Sequence, residues 1–219
     1  MCRRNITVLI AAVLTCWASA SGFGQEQTKE NTEPILEYAR DADTVVIMLD
    51  QVGAFRDEVP LLRIYGDGRV LVHRQTVGDY EMYLSSQEID VWLRYLYDLG
   101  VLTFDADSVR RATHEILMIR LAEAEARGET EHTITIVEDA GPTVIEVCLK
   151  AFKPSGTGAL RVENYTHRVV WKLPRFSPHQ FPEISEISDF AEAAEALFVL
   201  AKHPDLVRLD EDPTLQAKR

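Results

Sequence analysis

Apolar residues along this chain follow two rhythms, one of period two or continuous, the other helical. Residues 44–49 (TVVIML) form a continuous β-branched run that predicts a central strand. Residues 50–60 read as a loop or an irregular extension of it. Leu61-Leu62-Arg63-Ile64-Tyr65 and Arg69-Val70-Leu71-Val72-His73 then flank Gly66-Asp67-Gly68. Two alternating runs around a turn of residues that tolerate positive φ predict a β-hairpin. Residues 80–84 (YEMYL) alternate as a further strand. Ser85-Ser86-Gln87-Glu88 has the spacing of a capping box with Ser85 as N-cap. Ile89, Trp92, Leu93, Leu96 and Leu99 recur at helical spacing behind it, and Gly100 supplies the stop.

The second half repeats these signals less sharply. A helix capped by Asp107 or Ser108 is expected to run to Arg127, with Val109, Ala112, Ile116, Ile119 and Leu121 sharing a face. A short strand over 116–121 competes with it. Residues 132–137 (HTITIV) and 143–149 (TVIEVCL) are expected to form a second hairpin across 138–142. A loop follows at 153–158, and 165–173 adds a strand. After irregular chain containing Pro174, Pro178 and Pro182, a helix starts at Ser185 or Ser188. It reaches Ala201 through Ile187, Phe190, Ala194, Leu197 and Phe198, and Pro204 stops it. Strands joined by hairpins and grouped before helices predict an α+β fold, with antiparallel sheet or sheets each covered by a helix. One domain over 44–205 is expected, with 44–104 and 105–205 as two halves of similar build.

The N-terminus has a different pattern. Arg3 and Arg4 precede an uncharged apolar run from Ile6 to Trp17, and Ala18-Ser19-Ala20 is a small-x-small site. Together these predict a secretory signal peptide over 1–20. The apolar run is shorter than the ~20 residues a spanning helix needs. Lipid attachment at Cys16 is the lesser alternative, because Thr15 fits poorly the small residue expected before a lipidated cysteine. Residues 21–43 are polar and expected to form a disordered arm, and 206–219 an acidic, flexible tail.

Charge and cysteine content narrow the class further. The formal net charge is −12, and loss of Arg3 and Arg4 makes the mature chain more acidic still. Such a surface repels nucleic acid and anionic membranes. Cys2 and Cys16 lie in the signal segment, so Cys148 alone remains and no internal disulfide can form. A half-buried strand position explains Cys148 better than a nucleophile, since no base accompanies it locally. The six histidines (73, 114, 132, 167, 179 and 203) show no paired metal-ligand spacing. Neither a dinucleotide fingerprint nor a phosphate-cradling loop occurs. The sequence therefore implies no catalytic residue, metal or cofactor.

Between Lys150 and Arg175 six cations face one acid, Glu163, with aromatic residues interleaved. Arg161, Tyr165, Arg168, Trp171, Lys172 and Arg175 are the candidate ligand-binding residues, suited to a glycan, a peptide or an envelope protein. A strand with a solvated cationic face is the structural alternative.

The run TVVIMLDQVGAF, followed by LLRIYGDGRVLVHR and a capped helix ending in DLGVL, resembles uncharacterised bacterial exported proteins, some of them lipoprotein-like. The resemblance covers about residues 44–104 and implies export and a β-rich α+β fold; it brings no activity with it. The expected function is an exported, periplasmic or extracellular binding or structural protein without enzymatic activity. A hydrolase whose site assembles only in three dimensions is the alternative.

Overall fold

A computed structural model describes residues 33–52, 59–128, 141–172 and 177–209. The fold is α+β, built on one eight-stranded antiparallel sheet. Its strands are β1 (Ile35–Glu37), β2 (Val45–Gln51), β3 (Leu62–Tyr65), β4 (Arg69–Arg74), β5 (Gly78–Tyr83), β6 (Thr143–Lys153), β7 (Val162–Trp171) and β8 (Val207–Arg208). The helices are α1 (Ser86–Asp98), a 3-10 turn (Val101–Thr103), α2 (Ala106–Ala126), the single-turn α3 (Ser177–Gln180) and α4 (Ser185–Leu200). β7 lies at one end of the sheet, beside β6. β1 and β2 occupy successive stretches of the other edge of β6, followed by β3, β4, β5 and β8.

The expected hairpin forms as β3 and β4, with Arg63 opposite Leu71 and Ile64 opposite Val70. Gly68, at φ 96°, donates its N–H to the Tyr65 carbonyl at 3.0 Å, and Asp67 Oδ1 accepts the Arg69 N–H at 3.0 Å. The capping box also forms: Ser85 Oγ accepts the Glu88 N–H at 3.3 Å, while Glu88 Oε2 accepts the Ser85 N–H at 2.7 Å. Gly100, at φ 69°, follows the helix it was expected to stop.

Several expectations are corrected. Asp105, rather than Asp107 or Ser108, caps α2, accepting the N–H groups of both those residues. The competing strand at 116–121 is absent because these residues are helical. Ile119 points to solvent instead of joining the apolar face. β6 forms a hairpin with β7, and β2 and β7 take the two edges of Thr143–Val147. The expected first strand of the second hairpin, 132–137, lies outside the described residues. Strands from 44–104 and 105–205 join a single sheet rather than one each.

The domain also starts earlier and ends later than expected. In the arm assigned to 21–43, β1 pairs with β6 and Tyr38 is buried; at the start of the presumed tail, β8 pairs with β5. Short, weakly patterned strands like these form by completing an existing edge rather than by their own propensity.

One face of the sheet carries the core. Ile47, Leu49, Leu62, Ile64, Val70, Val72, Ile145, Val147 and Val169 pack with Ile89, Leu93 and Leu96 of α1 and Ile187, Phe190 and Leu197 of α4. The strand period of two sends the intervening residues to the other face. Met48, Tyr65, Leu71 and Val144 there lie outside the main core cluster, although Tyr65 and Val144 are buried.

Candidate functional site

β3, β4 and β5 set out a lattice of side chains on this second face. Arg63 stands opposite Leu71 and Leu71 opposite Glu81; Arg69 stands opposite Tyr83, and His73 opposite Asp79. Directly opposed side chains on such a face begin about 5 Å apart. The Arg69 guanidinium lies 4.2 Å from the Tyr65 ring centroid, and its Nη2 donates to the Ala42 carbonyl at 2.8 Å. The Nε atoms of Arg63 and Arg69 are buried without a hydrogen-bond partner. Glu81 is 7% exposed although it carries a carboxyl group, whereas Tyr83 is 58% exposed. Burial first, and then Glu81, push the Tyr83 hydroxyl above the ordinary tyrosine range. His73 Nδ1 and Asp79 Oδ1 are 2.6 Å apart.

The sequence-predicted binding residues on and beside β7 are not brought together on one surface. Tyr165 and Trp171 turn toward the helices, with Tyr165 donating its hydroxyl to the Leu102 carbonyl. The Tyr165 ring centroid lies 4.4 Å from that of Phe152, and Trp171 packs edge-on against Phe104 at 5.7 Å. Arg168 faces the other way and meets Glu146 at 3.3 Å. Arg161 is held by Glu163 at 2.6 Å and Glu37 at 3.0 Å. Lys172 is exposed at the end of β7, and Arg175 lies outside the described residues. Arg161 and Arg168 are thus paired with acids from β1, β6 and β7 itself, while Tyr165 and Trp171 pack against the core.

Cys148 shares this second face with the lattice but offers little nucleophilic chemistry. Burial pushes its thiol up, and nearby Glu146 adds to that against an opposing bond from Thr166. β2 and β3 separate its strand from that of His73, a lateral gap of roughly 14 Å. Among the described residues, no group of three or more His, Cys, Asp or Glu side chains is placed to hold a metal ion.

Sequence reasoning missed Arg63, Arg69, Glu81 and Tyr83 as a group. The signal was present in the alternation of Arg69, Leu71 and His73 with Val70 and Val72, and of Asp79, Glu81 and Tyr83 with Tyr80 and Met82. A polar strand face ordinarily reads as solvated, and the register that aligns three such faces is a tertiary property.

An α+β protein built on one antiparallel sheet, with helices packed on its core face, is the class these observations define. No protein-family model, curated protein or solved structure matches the chain. Among the described residues, no helix is long and apolar enough to cross a membrane.

Proposed function

We propose that this chain is an exported, non-enzymatic binding protein of the periplasm or extracellular space, and that it uses the sheet face opposite the main core cluster for contact. The observation that carries the reading is the lattice over β3, β4 and β5: aromatic, cationic and anionic side chains in register on the face opposite the main core cluster. Side chains in register across three strands suit an extended ligand lying across them. The charge pattern of residues 1–20 supports export.

Intact mass of the protein from an envelope fraction tests the location. The expected mass corresponds to cleavage after Ala20; a full-length protein confined to the cytoplasm overturns export. The His73–Asp79 pair favours a second reading, a hydrolase in which the carboxylate orients the imidazole. Hydrolysis of ester or glycoside substrates that disappears in His73→Gln would replace the first reading with this one.

A further inference from the structure

We infer that the outer face of α2 is the contact surface for a second copy of this chain, the two helices lying antiparallel about a two-fold axis at Met118. The inference stands apart from the reading of the sheet face. α2 runs Ala106–Ala126, yet only Val109 and Ala124 are buried along it. Ala112 and Ile116 also pack against the core, and Arg120 Nη2 anchors the same side by donating to Glu183 at 2.8 Å. The opposite side carries Arg111, Glu115, Met118, Ala122 and Glu125, all exposed. They recur at steps of four and three residues, the spacing of a seam between two helices. Met118 is 53% exposed at the centre of that seam, and Ile119 beside it is 59% exposed. With Ala122 they form an apolar centre flanked by charges, the anatomy of an interface rather than of a solvated helix face.

Charge selects a second copy as the occupant. Arg111 lies seven residues before Met118, and Glu125 seven after it. A two-fold axis at Met118 therefore brings Arg111 of each helix level with the partner's Glu125, about 10 Å to either side of the axis. Neither side chain has an ion-pair partner among the described residues, whereas Asp107 takes Arg110 and Glu183 takes Arg120. α2 also lacks a basic residue in its last turn, where Glu123 and Glu125 add to the negative end of the helix dipole. An antiparallel copy supplies the missing cation there and sets each N-terminus beside the other's C-terminus. Parallel packing would instead oppose Arg111 to Arg111 and Glu125 to Glu125. The small Ala122 lets the two helices approach closely. One helix pair is a small contact, so the dimer is expected to be weak and reversible. The whole-chain charge of −12 opposes association, but at physiological salt it is screened beyond about 8 Å.

Sedimentation equilibrium of the mature chain at physiological salt, up to about 300 μM, tests the inference. A reversible monomer–dimer equilibrium is expected. Met118→Glu puts two carboxylates at the axis and is expected to abolish the dimer, with the circular dichroism unchanged because position 118 is exposed. Arg111→Glu and Glu125→Arg are each expected to raise the dimer Kd about tenfold or more, and the double swap to restore it to within about threefold of wild type. Val91→Glu, at an exposed site on α1, is expected to leave it unchanged. A chain that stays monomeric at the highest concentration overturns the inference. A dimer indifferent to Met118→Glu overturns α2 as its surface. A dimer that needs Met118 but ignores the single charge reversals, or is not restored by the double swap, overturns the antiparallel arrangement.

Discussion

A β-carbon on Gly66 would lie 1.7 Å from the carbonyl oxygen of Ala39. The hairpin turn is wedged against the segment between β1 and β2. Gly66 donates its N–H to Thr44 O at 3.0 Å, and Asp67 donates to Asp41 O at 2.9 Å. Gly66→Ala must push these segments apart, and it is expected to cost about 2 kcal/mol or more in urea unfolding. Gly68→Ala should be at least as damaging, because its β-carbon meets Leu84 O at 2.1 Å and the backbone φ is 96°. A midpoint unchanged in both variants would contradict the interlock.

Trp171 and Arg168 separate the structural from the surface members of the predicted basic segment. Trp171 is 8% exposed and packs on Phe104, so Trp171→Ala should cost about 3–5 kcal/mol. Arg168→Ala removes an exposed ion pair and should change stability by less than about 1 kcal/mol. Tyr165→Phe, which leaves the Leu102 carbonyl without its partner, should fall between them at about 1 kcal/mol. Chemical denaturation of the three variants tests this order.

His167 makes stability depend on pH near neutrality. Burial lowers its pKa below the ordinary value of 6.5, against an opposing hydrogen bond with the Phe104 backbone, and its Nε2 is buried without a partner. Between the lowered folded value and 6.5 the unfolded chain binds more protons at this site, so stability falls as pH falls through that window. Urea midpoints of the wild type should drop between pH 7.5 and pH 5.5. The drop should shrink in His167→Gln, whose side chain does not titrate.

Glu88 adds a second pH dependence at lower values. Backbone and side-chain hydrogen bonds from Ser85 hold its carboxyl below the ordinary value of 4.5. Its contribution is therefore present above that value and is lost as pH falls through the lowered folded one. Ser85→Ala should cost about 1 kcal/mol at neutral pH. It should only reduce this acid-side loss, because the backbone N–H of residue 85 still bonds the Glu88 carboxylate, whereas Glu88→Gln should remove it. Helix content followed by circular dichroism through the acid range provides the measurement.

Alkylation of Cys148 should be slow under native conditions, because burial raises its thiol pKa and reduces the reactive thiolate. Iodoacetamide labelling followed by mass spectrometry should show rapid modification only after unfolding. Rapid labelling of the folded protein would contradict this placement of the thiol.

The elements legible in the sequence were those whose causes lie within a few residues. The β3–β4 hairpin follows from alternation around Gly66-Asp67-Gly68, and α1 from the Ser85–Glu88 box and its apolar stripe. The cap of α2 was misplaced because Asp105, Asp107 and Ser108 are all suitable residue types, and backbone geometry chooses among them. The basic aromatic segment was conspicuous by composition, but composition does not reveal that Glu37 and Glu146 approach it from other strands.

By itself the sequence determined the α+β class, the first hairpin, the capped helix and the amphipathic α4, because period, turn chemistry and capping act locally. Tertiary structure alone decided that β6 pairs with β7, that β1 and β8 complete the sheet, and that Arg63, Arg69, Glu81 and Tyr83 meet on one face. The physical reason is that a strand's hydrogen-bonding edges accept any extended partner. Register and pairing are settled by which arrangement buries the apolar face of the whole sheet.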